Sequence, residues 1–443
     1  MEATSRQPQE STGDSPESAL LVGLSLPDTP RGETEDSIDE LSRLVTTATI
    51  QVAGVVTQAR PRIEPRYYIG KGKAEELKSR ASAAGAGMIV FDSDLTPAQM
   101  RNLEKLTDLR ILDRSAIILD IFSQHARTRT SQVQVELAQL NYLLPRLTRQ
   151  WTHLSRQAGG GAIRGMGAAG VRGPGETQLE TDRRMIRRRI GALTRELDRI
   201  DSQFETSRKG RRQELRVALV GYTNAGKSTL MRALSGADVL VEDQLFATLD
   251  STTRSVDLEG KRKILLTDTV GFIRRLPHHL VASFRATLEE AAQADLLLHV
   301  IDASHPHWRG HAATVAEVLS ALGAADNPVI EVHNKLDRMG EEGDLYARSL
   351  LSEPGKVAVS ALSGEGLDLL KEKIRFYCEE REVTLDLRIP QREGRLLSQL
   401  FDQGQVLERS YDSEEVRVRV RLDAVRAERW QLDRYAAEAG KTG

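Results

Sequence analysis

Gly221-Tyr222-Thr223-Asn224-Ala225-Gly226-Lys227-Ser228-Thr229, GYTNAGKST, follows the apolar run Leu215, Val217, Ala218, Leu219, Val220 and precedes helically spaced Leu230, Met231 and Leu234. Strand, glycine-rich turn and helix start in the order G-x-x-x-x-G-K-[ST] form a phosphate-binding loop. Gly221 and Gly226 let consecutive backbone N–H groups converge on an anion, and the helix that follows adds the positive end of its dipole. Lys227 is the expected point charge for the outer phosphates. The Ser228 hydroxyl is an expected ligand of a magnesium ion bridging phosphate oxygens.

Downstream, short apolar runs at Lys263–Thr267, Leu296–Ile301 and Val329–His333 each end at a polar motif. Ligands of open α/β sheets lie beyond the carboxyl ends of such strands. The first run enters Asp268-Thr269-Val270-Gly271, where the aspartate supports the magnesium and the Gly271 N–H can bind a terminal phosphate. Asp243–Arg254, DQLFATLDSTTR, is a first switch, containing Phe246, Ala247, Thr248, Leu249 and Asp250; of its threonines, Thr248 is the expected second magnesium ligand. Asn334-Lys335-Leu336-Asp337 reads the base. The Asp337 carboxylate accepts both N1–H and the 2-amino group of guanine, whereas adenine would leave it unpaired. Asn334 can face the other edge of the base, the Lys335 stem its plane, and Ser360-Ala361-Leu362 supplies backbone N–H for the guanine carbonyl. Four motifs in this order define a GTPase that takes GTP as substrate and Mg2+ as cofactor, with Lys227, Thr248 and Gly271 closest to the chemistry. Phe272 stands where many switch GTPases carry the glutamine that orients the attacking water. A phenyl ring cannot do that by hydrogen bonding, so slow basal hydrolysis that rises with a partner is expected.

The expected fold is α/β: a central phosphate-loop domain with a mostly parallel sheet and helices on both faces, between two smaller α/β domains. Residues 9–40 are acidic and rich in Ser, Pro and Thr, so residues 1–42 read as a disordered tail. Residues 43–150 read as an N-terminal α/β domain, with strands at Thr47–Gln58, Met88–Phe91 and Leu109–Leu112, helices at Ala74–Ala84 and Thr96–Thr107, and a helical extension from 115 to 150. Gly70-Lys71-Gly72-Lys73 lacks the remaining spacing of a nucleotide motif and reads as a turn. Residues 151–213 join a glycine-rich loop, with eight glycines from Gly159 to Gly175 around Arg164 and Arg172, to a charged helix over Thr181–Glu205. That helix carries a narrow apolar stripe and the run Arg183, Arg184, Arg187, Arg188, Arg189; Arg208, Lys209, Arg211 and Arg212 follow. Such a run is either a solvated face or a nucleic-acid surface. Residues 214–380 are the GTPase domain. Residues 381–443 form a C-terminal α/β domain whose two alternating strands expose Arg417, Arg419 and Arg421.

Forty per cent of the 443 residues are hydrophobic and 28% charged, enough for about three domains. No apolar run approaches the roughly 20 residues that span a bilayer. Cys378 is the single cysteine, which fits a reducing cytosol. A cytoplasmic monomer is expected, with peripheral membrane association as an alternative. His305, His307 and His311, or His278 and His279, lack the cysteine or carboxylate companions of a structural metal site.

With these residues in view, the chain resembles the HflX family of translation-factor-class GTPases, within the OBG-HflX-like superfamily, over about residues 45–380. The matching stretches are YYIGKGKAEEL from Tyr67, QVELAQLNYLLPRL from Gln134, RGPGETQLETDRR from Arg172, GYTNAGKSTL, DQLFATLD, DTVGFIRRLP from Asp268, and NKLD. The resemblance implies GTP-dependent binding to the large (50S) ribosomal subunit and its RNA, splitting or rescue of stalled ribosomes, and hydrolysis stimulated by that subunit. It also implies that the N-terminal domain and glycine-rich loop reach ribosomal RNA, that Thr248 is the magnesium ligand of the first switch, and that some members use ATP through the N-terminal domain. Ser251, Gly165-Met166-Gly167 and Ser123-Gln124-His125 depart from the family pattern. The competing readings are a GTPase that regulates an RNA-modification or ribosome-assembly complex, and a passive RNA-binding protein with a structural nucleotide site.

Overall fold

The computed structural model describes residues 17–30, 32–147, 178–210, 215–236, 245–246, 248–258, 263–274, 290–380, 382–412 and 414–436. The glycine-rich loop with Arg164 and Arg172, Arg211 and Arg212, Ala247, His278 and His279 lie outside the described residues, as do the side chains of Arg208 and Lys209.

The N-terminal sheet has the order β2-β1-β3-β4, all parallel: β1 (Ser18–Ser25), β2 (Gln51–Ala59), β3 (Met88–Phe91) and β4 (Arg110–Asp113). This corrects the expectation of a disordered tail up to residue 42. SALLVGLS is a nearly continuous apolar run, and β1 is buried between two partners. The acids after it belong to α1 (Glu33–Thr47), where Glu33, Glu35 and Asp36 occupy the first turn and Ile38, Leu41, Leu44 and Val45 face the core. Acids at a helix start are favoured by its dipole, so the charge that suggested disorder is the signature of a helix N-terminus.

Helices α2 (Lys71–Ala84) and α3 (Pro97–Thr107) cross between strands. At the start of α3, Thr96 and Gln99 form a capping box, with Pro97 in the first turn. Gly70 packs rather than binds: its N–H donates to Gln58 Oε1 at 2.8 Å, and a Cβ there would sit 2.4 Å from Arg60 Nη1. The helical extension is a pair, α4 (Arg114–His125) and α5 (Arg129–Leu143). The long α6 (Gln178–Gly210) runs antiparallel to α5, with Leu193, Ile190 and Leu197 packed on Val133, Leu137 and Leu140. Two ion pairs flank this seam, Arg189–Glu136 at 2.6 Å and Arg129–Glu196 at 2.7 Å.

The central sheet has the order β10-β9-β8-β5-β7-β6. Its strands are β5 (Leu215–Gly221), β6 (Thr252–Asp257), β7 (Lys263–Asp268), β8 (Leu296–Asp302), β9 (Val329–Asn334) and β10 (Lys356–Ala358). All described pairings are parallel except β6 with β7. Edge strand β6 was not anticipated, because TTRSVD lacks apolar alternation and buries one residue, Val256. Around the sheet lie α7 (Lys227–Ser235), α8 (Trp308–Ala321), α9 (Glu341–Leu350) and α10 (Leu367–Glu380). The C-terminal sheet is antiparallel, β11 (Glu382–Pro390), β13 (Glu415–Asp423), β12 (Gln405–Tyr411), with α11 (Gly394–Gln403) and α12 (Ala424–Arg429). It has three strands where two were expected, because a register shift between Val406 and Glu408 breaks the alternation of β12. Arg417, Arg419 and Arg421 are exposed on β13.

Candidate functional site

β5, β7 and β9 end together on one edge of the central sheet and deliver the loops that carry the motifs. The glycines of the phosphate loop are required by close approach. A Cβ on Gly221 would lie 2.3 Å from the Val300 carbonyl oxygen, and one on Gly226, at φ +94°, 2.3 Å from Asn334 Nδ2. Asn224 also has a positive φ, 57°. Gly271 meets the loop from the other side, where a Cβ would be 2.8 Å from Thr223 Cα and 3.0 Å from Lys227 Nζ. Two backbone bonds lock the segments together: Thr223 N–H donates to the Phe272 carbonyl at 2.7 Å, and Phe272 N–H to the Gly221 carbonyl at 3.1 Å.

Lys227 is buried, and its ammonium donates to the Gly221 and Tyr222 carbonyls at 3.2 and 3.0 Å. Burial pulls its pKa down to about 8, against the attraction of Asp268. Ser228, Thr248 and Asp268 converge: Ser228 Oγ lies 2.6 Å from Asp268 Oδ2 and 2.9 Å from Thr248 Oγ1, and Thr248 Oγ1 donates to Asp268 Oδ2 at 3.3 Å. The other carboxylate oxygen, Asp268 Oδ1, is buried with no hydrogen-bond partner, and burial raises the Asp268 pKa. Two hydroxyls and a carboxylate with an orphaned oxygen are a hard-oxygen donor set of the kind magnesium takes. Among the described residues no group of three or more His, Cys, Asp or Glu could hold a metal ion. Thr269 Oγ1 donates to the Leu219 carbonyl at 2.7 Å and Val270 is buried, so both side chains serve the loop's shape.

Asn334 is held inside the protein by both ends of its amide. Its Nδ2 donates to the Ala225 carbonyl and its Oδ1 accepts from the Ala361 N–H, both at 2.9 Å, so this buried amide staples the phosphate loop to the 360–362 segment. Ser360 N–H donates to the Glu365 carbonyl, so two of the three N–H groups expected for the guanine carbonyl are engaged inside the protein. Leu362 is 72% exposed. Asp337 is exposed, with its Oδ1 accepting from Ser360 Oγ at 2.5 Å. Lys335, in a left-handed conformation before buried Leu336, pairs with Asp302 at 2.8 Å.

Several first-switch residues turn away from the phosphate loop. Phe246 packs edge-on against Phe122 of α4, with ring centroids 4.8 Å apart, while its N–H donates to Thr223 Oγ1; Leu249 is buried in the same core. Asp250, expected among the nucleotide contacts, binds the start of α5: Oδ2 accepts from the Arg127 and Thr128 N–H groups at 3.0 and 3.1 Å, and Oδ1 from Thr128 Oγ1 at 2.5 Å. Unpaired N–H groups at a helix start attract a carboxylate, which explains the capture. Tyr222 likewise points into the N-terminal domain. Its hydroxyl donates to Glu40, accepts from Arg274 N–H at 2.8 Å, and its ring stacks on His311 at 3.9 Å. Glu40 pairs with buried Arg114, which holds Asp92 at 2.7 Å. Burial opposes the Arg114 charge, but Glu40 and Asp92 outweigh it and hold its pKa up. Sequence reasoning missed Glu40, Asp92, Arg114 and Thr128, because none sits in a spaced motif.

Fold and motifs together define a phosphate-loop GTPase. The chain matches families described as GTP-binding GTPase N-terminal over residues 35–123, GTP-binding GTPase Middle Region over 125–211, and 50S ribosome-binding GTPase over 216–335. It is 43% identical over 416 residues to GTPase HflX of Escherichia coli strain K12, covering 93% of this chain and 95% of that protein. Against GTPase HflX of Flavobacterium psychrophilum it is 47% identical over 321 residues, 72% of this chain and 76% of that one. A solved GTP-binding protein from Sulfolobus solfataricus, in complex with GDP, is 24% identical with a TM-score of 0.41, over 81% of this chain and 98% of its own. The chain belongs to the HflX family of GTPases and is a GTP-hydrolysing enzyme. Among the described residues no helix is long and apolar enough to cross a membrane.

Proposed function

We propose that the protein is a GTP-switched factor of the large ribosomal subunit that splits or rescues stalled ribosomes and hydrolyses GTP faster when docked. The observation that carries this reading is the position of the first switch. Thr248 lies in the Ser228–Asp268 cluster, and Asp250, two residues on, grips the helical extension of the N-terminal domain. A change at the phosphates is thereby coupled to the N-terminal domain, as a GTP-dependent docking factor requires. Membership of a family whose GTPase segment is described as 50S ribosome-binding supplies the partner.

In this reading the phosphate-loop N–H groups of residues 224 and 226–228 and the Lys227 ammonium hold the phosphates. Asp268, with its orphaned oxygen, orients the hydroxyls of Ser228 and Thr248 as Mg2+ ligands. Bound there, Mg2+ would neutralise the charge of the outer phosphate oxygens. The Gly271 N–H meets the terminal phosphoryl group, and its lack of a side chain keeps the approach between Thr223 and Lys227 open. Asp337 accepts the two guanine donors while Ser360 holds its carboxylate in place.

Cosedimentation with separated ribosomal subunits, in GDP and in a non-hydrolysable GTP analogue, tests the proposal. Pelleting with the large subunit in the analogue and release in GDP is expected. Equal pelleting in both states would favour passive RNA binding, and no pelleting in either would direct attention to an RNA-modification or assembly complex. Lys227→Ala should abolish nucleotide binding and with it the difference between the two states.

A further inference from the structure

Two sets of arginines on α6 differ in what holds them. Arg183 donates to the Leu147 carbonyl at 3.1 Å, and Arg189 forks onto Glu136 through Nε and Nη2 at 2.6 and 2.7 Å. Both hold α6 against the N-terminal domain. Arg187, Arg188, Arg195 and Arg199 are exposed, and no ion pair reaches them among the described residues. Arg195 Nε folds back on the Gly191 carbonyl at 2.9 Å, which leaves its terminal nitrogens available.

At about 100° per residue, Arg188, Gly191, Arg195 and Arg199 fall within about 80° of one another, nearly opposite the buried Leu193 that packs on α5, and Arg187 flanks them. The stripe from Arg187 to Arg199 is about 18 Å long. Asp198 is the acid that shares it. Gly191 sits in the middle. Glycine weakens a helix interior, and here nothing lies within 4 Å of the position its Cβ would take. Among the described residues no packing requires a glycine at this point, whereas close approach by something outside the chain would.

We infer that this outer face of α6 docks on an RNA phosphate backbone, with Gly191 at the point of nearest approach. The assignment of ribosomal RNA rests on the function proposed above. Charge selects the ligand: four guanidinium groups without an ion pair among the described residues, on one helix, match closely spaced phosphates, whose contacts are made largely by such groups. The tied arginines, Arg183 and Arg189, position the helix and make no such contact.

Two probes distinguish failure of this inference from failure of the ribosome reading: purified large subunits in the GTP analogue, and a fluorescein-labelled RNA duplex with the full chain. Replacing Arg188, Arg195 and Arg199 together by Gln should weaken both associations by at least about tenfold and lower the slope of log Kd against log salt by about one per arginine. Helix content and basal GTP hydrolysis should hold. Gly191→Ala should raise the midpoint of thermal unfolding yet weaken both associations several-fold. If the wild-type chain ignores large subunits while the triple variant still loses the duplex, the docking face stands and the ribosome reading falls. If wild type and triple variant pellet equally with the same salt slope, the docking face falls and the ribosome reading stands. Unchanged association of Gly191→Ala overturns the close approach. Weakened binding to protein stripped of RNA, with RNA binding intact, would replace RNA by an acidic protein and overturn the assignment.

Discussion

Asp337 and His299 show how differently a single side chain can matter. Asp337 is exposed, and its neighbour Ser360 fixes one carboxylate oxygen. Asp337→Asn keeps an oxygen for that bond but presents a donor to the guanine donors. GTP affinity should fall by about a hundredfold or more, with xanthosine triphosphate gaining, as competition binding would show. His299 lies inside the central sheet on β8, where burial lowers its pKa to about 4. Between pH 6.5 and 4 the unfolded chain therefore binds more protons than the native one, so stability is lost as pH falls through that window. From pH 7 to pH 5 the loss should be about 2 kcal/mol. Urea titrations at the two pH values should show this for the native sequence and a flatter response for His299→Gln.

At the scale of elements, the clasp between the first switch and α5 joins two segments 122 residues apart. Thr128 is both the N-cap of α5, accepting from Ser131 N–H at 3.2 Å, and a donor to Asp250. Thr128→Ala and Asp250→Ala should each cost about 1 kcal/mol. Because they remove one shared contact, the double variant should cost less than the sum by about 0.5 kcal/mol or more. Strict additivity in urea unfolding would show that the clasp does not form in solution. Such pairings mark the limit of what sequence offers. The phosphate loop, β7, β8 and β9, and the capped start of α3 were legible because local spacing alone specifies them. The Thr248–Ser228–Asp268 convergence was legible because the motif order implies it. FATLD puts Asp250 among the nucleotide contacts, yet its carboxylate turns to a distant helix start, and such a pairing leaves no periodic trace. The α1 acids suggest disorder by composition, whereas the apolar run SALLVGLS beside them carries the buried strand β1.

The molecule as a whole has unequal seams. One buried cluster contains Leu21, Ile118 and Phe122 of the N-terminal domain together with Val220, Phe246 and Phe272 of the GTPase domain, and the chain Asp92–Arg114–Glu40–Tyr222 crosses the same boundary. The C-terminal core, built on Leu387, Ile389, Val418 and Val420, is a separate cluster. A core shared by two lobes makes them unfold together, whereas a lobe with its own core and few bonds to its neighbour melts alone. Thermal unfolding should therefore show two transitions, the larger from residues 17–380 and the smaller from residues 382–436. GTP at about a hundred times its Kd should stabilise the larger by about 2.7 kcal/mol and leave the smaller in place. Phe122→Ala, which empties the seam beside Phe246, should lower the larger transition by about 3 to 5 kcal/mol and reduce the nucleotide-dependent shift of the N-terminal lobe. Separate melting of the N-terminal and GTPase lobes in the native sequence, followed by proteolysis at fixed temperature, would show that the shared core does not bind them into one cooperative unit. It would also remove the physical route by which a phosphate at Lys227 reaches α6.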